Sequence, residues 1–565
     1  MVFYDFEVFK EDWLVVLINP FKQTEDVIVN DADALTKYYE ANKDDIWVGY
    51  NSTRYDQFIL KGILCGFNPK KVNDFIIEKG KSGWQFSSMF YKIPLLSYDV
   101  MLPNYSLKQL EGFMGNAIKE TSVPFDIDRK LTDDEIDETV EYCKSDVYNT
   151  MQIFVKTKNE FDATLSLIKT FNLPIEYISK TQAQLASIIL GAERVNLDDE
   201  WEIRVPETIV INKNKHIVDW FLNKENHNYK ARLDTTINGV KHIIALGGIH
   251  GAVPKYQHVC KKGELLIMAD VDQLYPTIMI KYGLLSRAVK EPEKFENILA
   301  TSLKLKAEKK KKEREPYKRI CNISYGAEGD KFNTMYDPLH RNLVCIYGQL
   351  FLIDLLEKIE PFTELIQSNT DGILIKINES DFDLLDDVVY EWEQRTGLHM
   401  SFDLYERVYQ KDVNNYVVVD FDGNTKTKGG YVKELNDLDN NLPIVNKAIV
   451  DYLVHGVPIE QTINTCNDLK QFQMICKITS KYRCLIHGNV QLSERCVRVF
   501  ASRDKSDGGL FKLHNNKIKP DKFPSTPLSC FIVNEDVNRM NVSDKLDREF
   551  YINMAKERVK DFGII

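Results

Sequence analysis

The stretch that most constrains this chain is an apolar run that ends in an acid. The strand-forming residues that begin at Leu265 lead directly to Asp270, which is the third residue of MADVDQLYPTIMIKYG, residues 268–283. Burying a carboxylate costs several kcal/mol unless a donor or a cation binds it. An aspartate is also common where a strand surfaces and turns, so both interpretations of Asp270 stay open at this point.

Length and composition indicate a large protein with several cores. The chain has 565 residues, 44% of them hydrophobic, so we expect three or four structural units. No apolar run reaches the roughly 18 residues needed to cross a bilayer, which predicts no membrane partner. Ten cysteines without a C-x-x-C pair argue against a zinc ribbon, an iron–sulfur site or a disulfide framework. These features favour a reducing, intracellular compartment.

The net charge of −11 does not decide the partner, because binding depends on where charge is concentrated. Residues 301–320 hold nine Lys or Arg against three Glu. A run of this kind is often only a solvated helix face. A solvated face and a phosphate-binding surface therefore both remain open for this segment.

The N-terminal pattern predicts a mixed α/β layer fold. Within the first 60 residues, β-rich runs alternate with two helical patterns, the second of which begins at Thr53. Thr132 and Glu135 form a capping box that opens an amphipathic helix, and apolar residues recur along it as far as Met151.

Later segments predict a helical hairpin, a β-hairpin and a helical end. Pro292 starts a long helical pattern, and Pro316 starts a second helix. ELIQSNTDGILIKI, residues 364–377, has two apolar runs around turn residues, which is typical of a β-hairpin. After residue 430 the pattern becomes helical, with segments that start at Pro443 and Pro458.

Four carboxylates stand out in the first 150 residues. Asp5 and Glu7 are i and i+2 on a strand and face one side, while Tyr142 and Asp146 are i and i+4 on a helix. Asp56 follows GYNSTRY. Clustered acids are tolerated when divalent cations neutralise them, and two such ions can hold an attacking water and a leaving oxygen around one phosphorus. Any one of these residues alone is more often an ordinary surface acid.

In order, DFE, NSTRYD and YCKSD resemble the three motifs of the DEDD-type 3′-5′ proofreading exonucleases, tyrosine subclass. The resemblance implies a ribonuclease H-like fold. It also implies that Asp5, Glu7, Asp56 and Asp146 are catalytic metal ligands and that Tyr142 helps to position the water.

DVDQLYP resembles motif A of the family B DNA polymerases, and KRICNISYG resembles the K-x-x-x-N-x-x-Y-G pattern of the same family. The resemblance implies that Asp270 is a catalytic metal ligand and that Tyr275 stacks beneath the incoming sugar, where it excludes a 2′-hydroxyl. It also implies that Lys318 meets the triphosphate, and that Asn322 and Tyr325 lie on the same helix face.

SNTDG resembles motif C, usually D-T-D, with Asn369 in the first position and Asp371 as the remaining catalytic metal ligand. Gly247 and Gly248 resemble the end of the Y-x-G-G element, which contacts DNA, although its Tyr is absent here. Lys428 in TKTKGGY matches the basic residue near the primer end. Lys306 is a candidate for a second phosphate contact, a role for which Lys304, Lys309 and Lys310 compete. Six basic residues in the last 130 positions are candidates to grip duplex phosphates, and ordinary surface charge stays open as the alternative for each: Lys477, Lys481, Arg483, Arg495, Arg498 and Arg503.

The resemblance therefore predicts an α/β and α+β multidomain protein, a ribonuclease H-like exonuclease domain followed by a right-hand polymerase with palm, fingers and thumb. The expected boundaries are 1–160 for the exonuclease, 161–230 for a connecting region, 231–290 and 329–430 for the palm, 291–328 for the fingers and 431–565 for the thumb.

The expected cofactors are two Mg²⁺ ions in each active site, with Mn²⁺ as an alternative. The expected partners are primer-template DNA, a single-stranded DNA 3′ end, dNTPs and replisome proteins. Motif spacing leaves no room for an additional N-terminal domain or for the first insertion of the protein-primed phage polymerases, which favours a compact type that extends a nucleic-acid primer. We also expect a monomeric protein of phage or plasmid type that acts in the cytoplasm, that of the host for a phage. Two alternatives stay open: an exonuclease with a decayed polymerase half, suggested by Asn369, and a catalytically silent replisome subunit.

Overall fold

The computed structural model of the chain describes residues 1–564, which form two compact units. The first unit comprises residues 1–179, 435–445 and 460–553, and the second comprises residues 180–434, 446–459 and the described residues from Met554 onward. Both units combine helices with several sheets, which confirms the predicted mixed α/β, multidomain class. Residues 435–445 and 460–553 belong to the same unit as residues 1–179, and the predicted domain boundaries stay a prediction. The thumb role of this segment stays a prediction.

The N-terminal part of the first unit is a mixed sheet flanked by helices. Its elements are β1 (Val2–Val8), β2 (Trp13–Asn19), β3 (Thr24–Val29), α1 (Ala32–Asn42), β4 (Ile46–Gly49), α2 (Asp56–Leu64), α3 (Pro69–Ile77), β5 (Leu96–Asp99), α4 (Leu107–Met114), α5 (Asp133–Lys156) and α6 (Lys158–Thr170). The strand order is β3-β2-β1-β4-β5. Strand β1 pairs antiparallel with β2 and parallel with β4.

Each face of this sheet has its own hydrophobic core. Tyr4 and Phe6 of β1 pack with α1 and α2 on one face, whereas Phe3 packs with Val147 of α5 on the other. Because successive strand residues point to opposite faces, Asp5 and Glu7 share the face of Phe3. The strand therefore directs both carboxylates toward α5.

Helix α5 begins where the sequence predicts. The Thr132 hydroxyl accepts from the Glu135 amide, and the Glu135 carboxylate accepts from the Thr132 amide, which completes the capping box. Cys143 and Val147 on its apolar stripe are fully buried. Helix α2 begins at Asp56 and not at Thr53, since residues 51–55 form turns and bends.

The second unit is built on antiparallel sheets and a group of helices. Its elements up to residue 428 are α7 (Gln182–Ile189), α8 (Lys215–Leu222), β6 (Arg232–Ile237), β7 (Val240–Ala245), β8 (Gly248–Ala252), β9 (Tyr256–Val259), β10 (Glu264–Val271), α9 (Leu274–Lys281), α10 (Pro292–Ala307), α11 (Lys311–Gly329), α12 (Pro338–Ile359), β11 (Glu364–Ser368), β12 (Gly372–Asn378), α13 (Phe382–Thr396), β13 (Met400–Tyr405), β14 (Arg407–Asp412), β15 (Asn415–Val419) and β16 (Thr425–Lys428). A seven-stranded sheet has the order β13-β10-β12-β11-β8-β7-β6, and a four-stranded sheet has the order β16-β15-β14-β9. The predicted hairpin is confirmed, because β11 and β12 pair antiparallel.

The helical hairpin differs from the prediction in its second helix. Helix α10 begins at Pro292 as expected, but α11 begins at Lys311, and Pro316 lies inside it. The prediction that Pro316 starts this helix is therefore wrong. A proline in the second turn removes the hydrogen bond that its nitrogen would donate, and its ring crowds the carbonyl four residues earlier. Pro316 is buried within this helix.

The C-terminal part begins with helices and continues with short strands. Its elements are α14 (Pro443–His455), α15 (Ile459–Thr465), β17 (Met474–Lys477), β18 (Tyr482–His487), β19 (Val490–Gln491), β20 (Cys496–Ala501), β21 (Leu510–His514), β22 (Asp521–Lys522), β23 (Cys530–Ile532) and α16 (Arg548–Lys560). The helical pattern predicted after residue 430 is therefore wrong for residues 474–532. Strands of two to six residues are too short to show a clear period of two in the sequence.

Arg498 is a buried structural residue and not a surface contact. Its side chain is fully buried, and its guanidinium donates to the Gln473 side chain and to the main-chain carbonyls of Gly112, Asn116, Val533 and Glu535. The prediction that Arg498 grips phosphates is wrong, because its donors are already used inside the first unit. In the described part of the chain, no helix is both long enough and apolar enough to span a membrane.

Candidate functional site

The first unit gathers acidic side chains on the α5 face of its sheet. Ligand atoms of Asp5, Glu7 and Cys143 lie within 4.8 Å of one another. The Cys143 thiol donates to the main-chain oxygen of Asp5 at 3.3 Å and lies 3.6 Å from its carboxylate. Strand β1 and helix α5 therefore bring residues nearly 140 positions apart into one cluster.

Asp56 joins this cluster from the first turn of α2. Its carboxylate accepts from the Phe6 amide at 3.1 Å, between Asp5 and Glu7 along β1. Asp56 is 3% exposed. The structure thus brings together the two segments that supply Asp5, Glu7 and Asp56.

Asp146 reaches the same region from α5 and has a cation beside it. The Lys108 ammonium donates to Asp146 Oδ1 at 2.5 Å and to Glu111 Oε1 at 3.1 Å. It also lies 4.4 Å from the centre of the Tyr142 ring. Lys108 and Glu111 were not predicted from the sequence, because a Lys and a Glu three residues apart on a helix usually form an ordinary surface pair.

Burial and mutual repulsion raise the pKa values of these carboxyl groups. Burial, followed by the charge of Asp56, raises the pKa of Asp5 well above its ordinary value, and burial followed by Asp146 does the same for Glu7. Burial raises the pKa of Asp56 to about 7, although the Phe6 amide opposes this shift. Burial raises the pKa of Glu111 to about 8.

Divalent cations fit this set of residues. Buried carboxylates that repel one another need positive charge, and carboxylate oxygens are the ligands that Mg²⁺ prefers. Glu111 Oε2 is buried without a hydrogen-bond partner among the described residues. The residues that would hold the ions are Asp5, Glu7, Asp56 and Asp146.

In the second unit, Asp270 near the end of β10 lies beside Asp371, the residue that precedes β12. Asp270 lies opposite Gly372 in the antiparallel pair, and the Val271 amide donates to the main-chain oxygen of Asp371 at 2.8 Å. Burial and then the charge of Asp371 raise the pKa of Asp270, whereas Lys426 and Lys428 oppose the shift. This pair of carboxylates fits the same hard, oxygen-preferring cations.

Gly372 is required by the position of the Asp270 carboxylate. A Cβ atom at residue 372 would lie 2.0 Å from Asp270 Oδ1 and 3.0 Å from the Ala269 carbonyl oxygen. The absence of a side chain therefore allows Asp270 to lie over the turn beside Asp371. On the other side of the turn, the Asn369 amide donates to the Gly372 carbonyl at 2.8 Å.

A cavity of about 460 Å³ has Asp371, but not Asp270, among its lining residues. Cationic and amide side chains from the helical hairpin line it as well. The lining residues are Val271, Asp272, Gln273, Leu274, Tyr275, Pro276, Lys306, Arg314, Lys318, Asn322, Thr370 and Asp371. The structure therefore places Tyr275, Lys306, Lys318 and Asn322 around one space.

Tyr275 and Tyr325 are in ring contact at this cavity. Their centroids are 4.2 Å apart at an interplanar angle of 40°. A Cβ at Gly348 of α12 would lie 3.1 Å from the Tyr275 ring, so that glycine leaves room for the ring. The guanidinium of Arg341 lies 5.8 Å from the Tyr325 ring. Tyr275 is thus held between α11 and α12.

Contacts of α10 with the residues after β10 were not predicted. Lys306 forms an ion pair with Asp272. Ser302 is buried, and its hydroxyl accepts from Gln273 at 3.2 Å and from Arg314 at 3.4 Å. Gln273 has φ +47°, a left-handed conformation that a non-glycine residue adopts at some cost. Arg314 lies four residues before Lys318, a helical spacing that could have indicated it.

The remaining predicted residues lie near the same carboxylates. Gly248 has φ +129°, and a Cβ there would lie 2.8 Å from the Thr370 hydroxyl, whereas a Cβ at Gly247 would meet open space. Lys428 lies on β16, 5.8 Å from the Tyr416 ring. Lys426, which the sequence did not indicate, lies 3.8 Å from the Met268 sulfur.

Similarity of this chain to known proteins is found among solved structures. No family model matches the chain, and no curated protein matches it. Among solved structures, it is similar to the family B DNA polymerase from the hyperthermophilic archaeon Pyrobaculum calidifontis, with a TM-score of 0.42 and 14% sequence identity. The match covers 100% of this chain and 77% of that chain. The function proposed below therefore depends on the residues and their geometry.

Proposed function

We propose that the chain is a template-directed DNA polymerase that extends a primer 3′ end with dNTPs and carries a 3′-5′ exonuclease. One observation supports the polymerase activity above the others: Asp371, beside which β10 places Asp270, lines one cavity together with Lys306, Arg314 and Lys318. Paired carboxylates opposite clustered cations suit a metal-bound triphosphate.

The residues around the cavity would have different roles in nucleotide transfer. Divalent ions bound at Asp270 and Asp371 would supply activation of the primer 3′-hydroxyl and stabilisation of the leaving pyrophosphate. Lys318 and Arg314 would offset the negative charge of the triphosphate. Tyr275, held by Tyr325 and Gly348, would lie beneath the sugar and select deoxynucleotides. Lys426 and Lys428 would hold the primer end.

The exonuclease activity is supported by the acidic cluster of the first unit. Asp5, Glu7 and Asp56 belong to one buried group, and Asp146 with Tyr142 faces it from α5. In this proposal the four carboxylates hold the ions that hydrolysis of a phosphodiester needs, and Tyr142 positions the attacking water. The substrate is a single-stranded DNA 3′ end.

We further propose that the chain belongs to family B and acts in DNA replication. Its exonuclease would be a ribonuclease H-like domain of the DEDD type, tyrosine subclass, and its polymerase would have a palm, fingers and thumb. Mg²⁺ is the proposed cofactor, with Mn²⁺ as an alternative. A compact phage or plasmid type, a monomeric state and replisome partners complete the proposal.

Primer extension with Mg²⁺ tests both activities at once. The unsubstituted chain should extend a primer on a template and degrade a single-stranded 3′ end. Asp371→Ala should abolish extension and keep degradation, because only the second unit loses a ligand. Asp5→Ala should do the reverse. These two variants control for each other, since each keeps the activity that the other loses.

Asn369 supports one alternative, an exonuclease whose polymerase half has decayed. That alternative predicts degradation without extension in the unsubstituted chain, and Asn369→Asp would then be the variant to restore extension. A catalytically silent subunit would show neither activity. Extension by the unsubstituted chain that Asp371→Ala removes would exclude both alternatives.

A further inference from the structure

Lys108 lies inside the acidic cluster of the first unit. It is the second residue of α4, and its side chain is 15% exposed. The ammonium donates to Asp146 Oδ1 and to Glu111 Oε1, and the face of the Tyr142 ring covers a third side. A desolvated cation gains from both kinds of contact. Its position is therefore fixed by three partners.

The ammonium binds a carboxylate that a metal ion would otherwise use. Asp146 is not in the group of ligand atoms formed by Asp5, Glu7 and Cys143, which is the one such group in the described residues. Its Oδ1 is bound by Lys108 instead. A carboxylate oxygen that accepts from an ammonium has less negative charge to offer a second cation.

The formal charges agree with a cation added together with its own counter-ion. The cluster contains five carboxylates, those of Asp5, Glu7, Asp56, Asp146 and Glu111, and the one ammonium of Lys108. If all are ionised, their sum equals that of four carboxylates alone, which two divalent ions balance. With Glu111 ionised, Lys108 and Glu111 leave the required number of ions unchanged and alter only which cation Asp146 meets first.

We propose that Lys108 is an internal cation of this site, which holds Asp146 while divalent ions are absent and competes with one of them for that carboxylate. This inference rests on the proposed exonuclease site. Lys108 is a positioning residue in this account, because it acts through Asp146 and Tyr142. The consequence is one weak ion site, so that hydrolysis requires a higher concentration of divalent ion than the first site alone would need.

Mn²⁺ binding to the full chain tests this inference. Every protein in this test carries Asp270→Asn and Asp371→Asn, which remove the ligands of the other candidate site. Electron paramagnetic resonance then counts the bound Mn²⁺. Lys108→Met should tighten the weaker Mn²⁺ site by about tenfold or more, because a like charge a few ångströms from the ion is removed. Lys108→Arg, which keeps the charge, should leave the weaker site weak.

Lys144→Met is the matched control. Lys144 also lies in the first unit, on α5, but it pairs with Glu25 of β3 and with Glu141, and its side chain is 26% exposed. Its removal should leave both Mn²⁺ affinities unchanged. Equal tightening by Lys144→Met would mean that net charge alone acts, and it would overturn the proposal.

A double variant covers the case in which Lys108→Met fails to fold. Lys108→Met with Glu111→Gln removes a neutral pair and should also tighten the weaker site. Thermal melting should show that Mn²⁺ raises the Tm of this variant more than that of the parent. Unchanged affinity and unchanged Mn²⁺ stabilisation would overturn the role of Lys108 while leaving the exonuclease intact. If the full chain with an unsubstituted first unit neither binds Mn²⁺ in that unit nor degrades a single-stranded 3′ end, the proposed exonuclease itself is overturned.

Discussion

Replacing Gly372 with alanine should disable nucleotide transfer through one oxygen atom. The new Cβ would lie 2.0 Å from Asp270 Oδ1, whereas ordinary contacts of a Cβ atom begin at 3.4 Å. The Asp270 carboxylate must therefore move by more than 1 Å, because the alanine is fixed in the β10–β12 pair. A misplacement of about 1 Å at a reacting centre costs on the order of 100-fold in rate, which is about 2.7 kcal/mol of barrier.

Single-nucleotide extension kinetics with Mg²⁺ is the assay for this prediction. Gly372→Ala should lower kcat by about 100-fold with little change in the KM for dNTP, since the lining cations are untouched. Degradation of a single-stranded 3′ end should continue at the parent rate. Gly430→Ala is the control, because a Cβ there meets nothing within 4 Å. Extension by Gly372→Ala at the parent rate would refute the placement of Asp270 at the reacting centre.

Three further predictions follow from single residues. Tyr275→Ala should incorporate ribonucleotides more readily, and unchanged discrimination in single-nucleotide kinetics would remove Tyr275 from beneath the sugar. Burial raises the pKa of Asp56 from 3.8 to about 7. Without metal, the protonated form of Asp56 therefore stabilises the fold at low pH, and that stability is lost as the pH rises through about 7. The Tm in EDTA should therefore fall between pH 5 and pH 8, by an amount that corresponds to about 4 kcal/mol or less, and a Tm that is equally pH-dependent in Asp56→Asn would contradict this. Arg498→Met should leave buried carbonyl groups unpaired and lower stability by about 3 kcal/mol or more, whereas weaker DNA binding with an unchanged Tm would support a phosphate contact instead.

The sequence predicts elements best where local chemistry is strong. The capping box of Thr132 and Glu135, the helix start at Pro292 and the hairpin around Asn369 all appear where they are predicted. Each depends on hydrogen bonds or backbone preferences within a few residues. The start of α11 is not predicted, because Pro316 lies inside the helix and does not begin it. The strands of residues 474–532 are not predicted, because they are short and pair with strands distant in the chain.

The candidate sites divide in the same way. The motifs indicate Asp5, Glu7, Asp270 and Asp371 by residue type and order, and the structure then brings the members of each pair together. Lys108 is not recognisable in the sequence, since its partner Asp146 is 38 residues away. Arg498 is the converse case, a residue that the sequence indicates as a phosphate contact and the structure buries. The sequence of a strand does not show whether the donors of a basic side chain meet solvent or carbonyl groups.

The sequence by itself determined which acids, cations and rings are available, and which local elements carry them. Only the tertiary structure decided which charges share a space: Lys108 with Asp146 in the first unit, and Arg314 with Asp371 around one cavity in the second. The physical reason is that an electrostatic interaction depends on distance and burial, and chain contacts between remote segments set both.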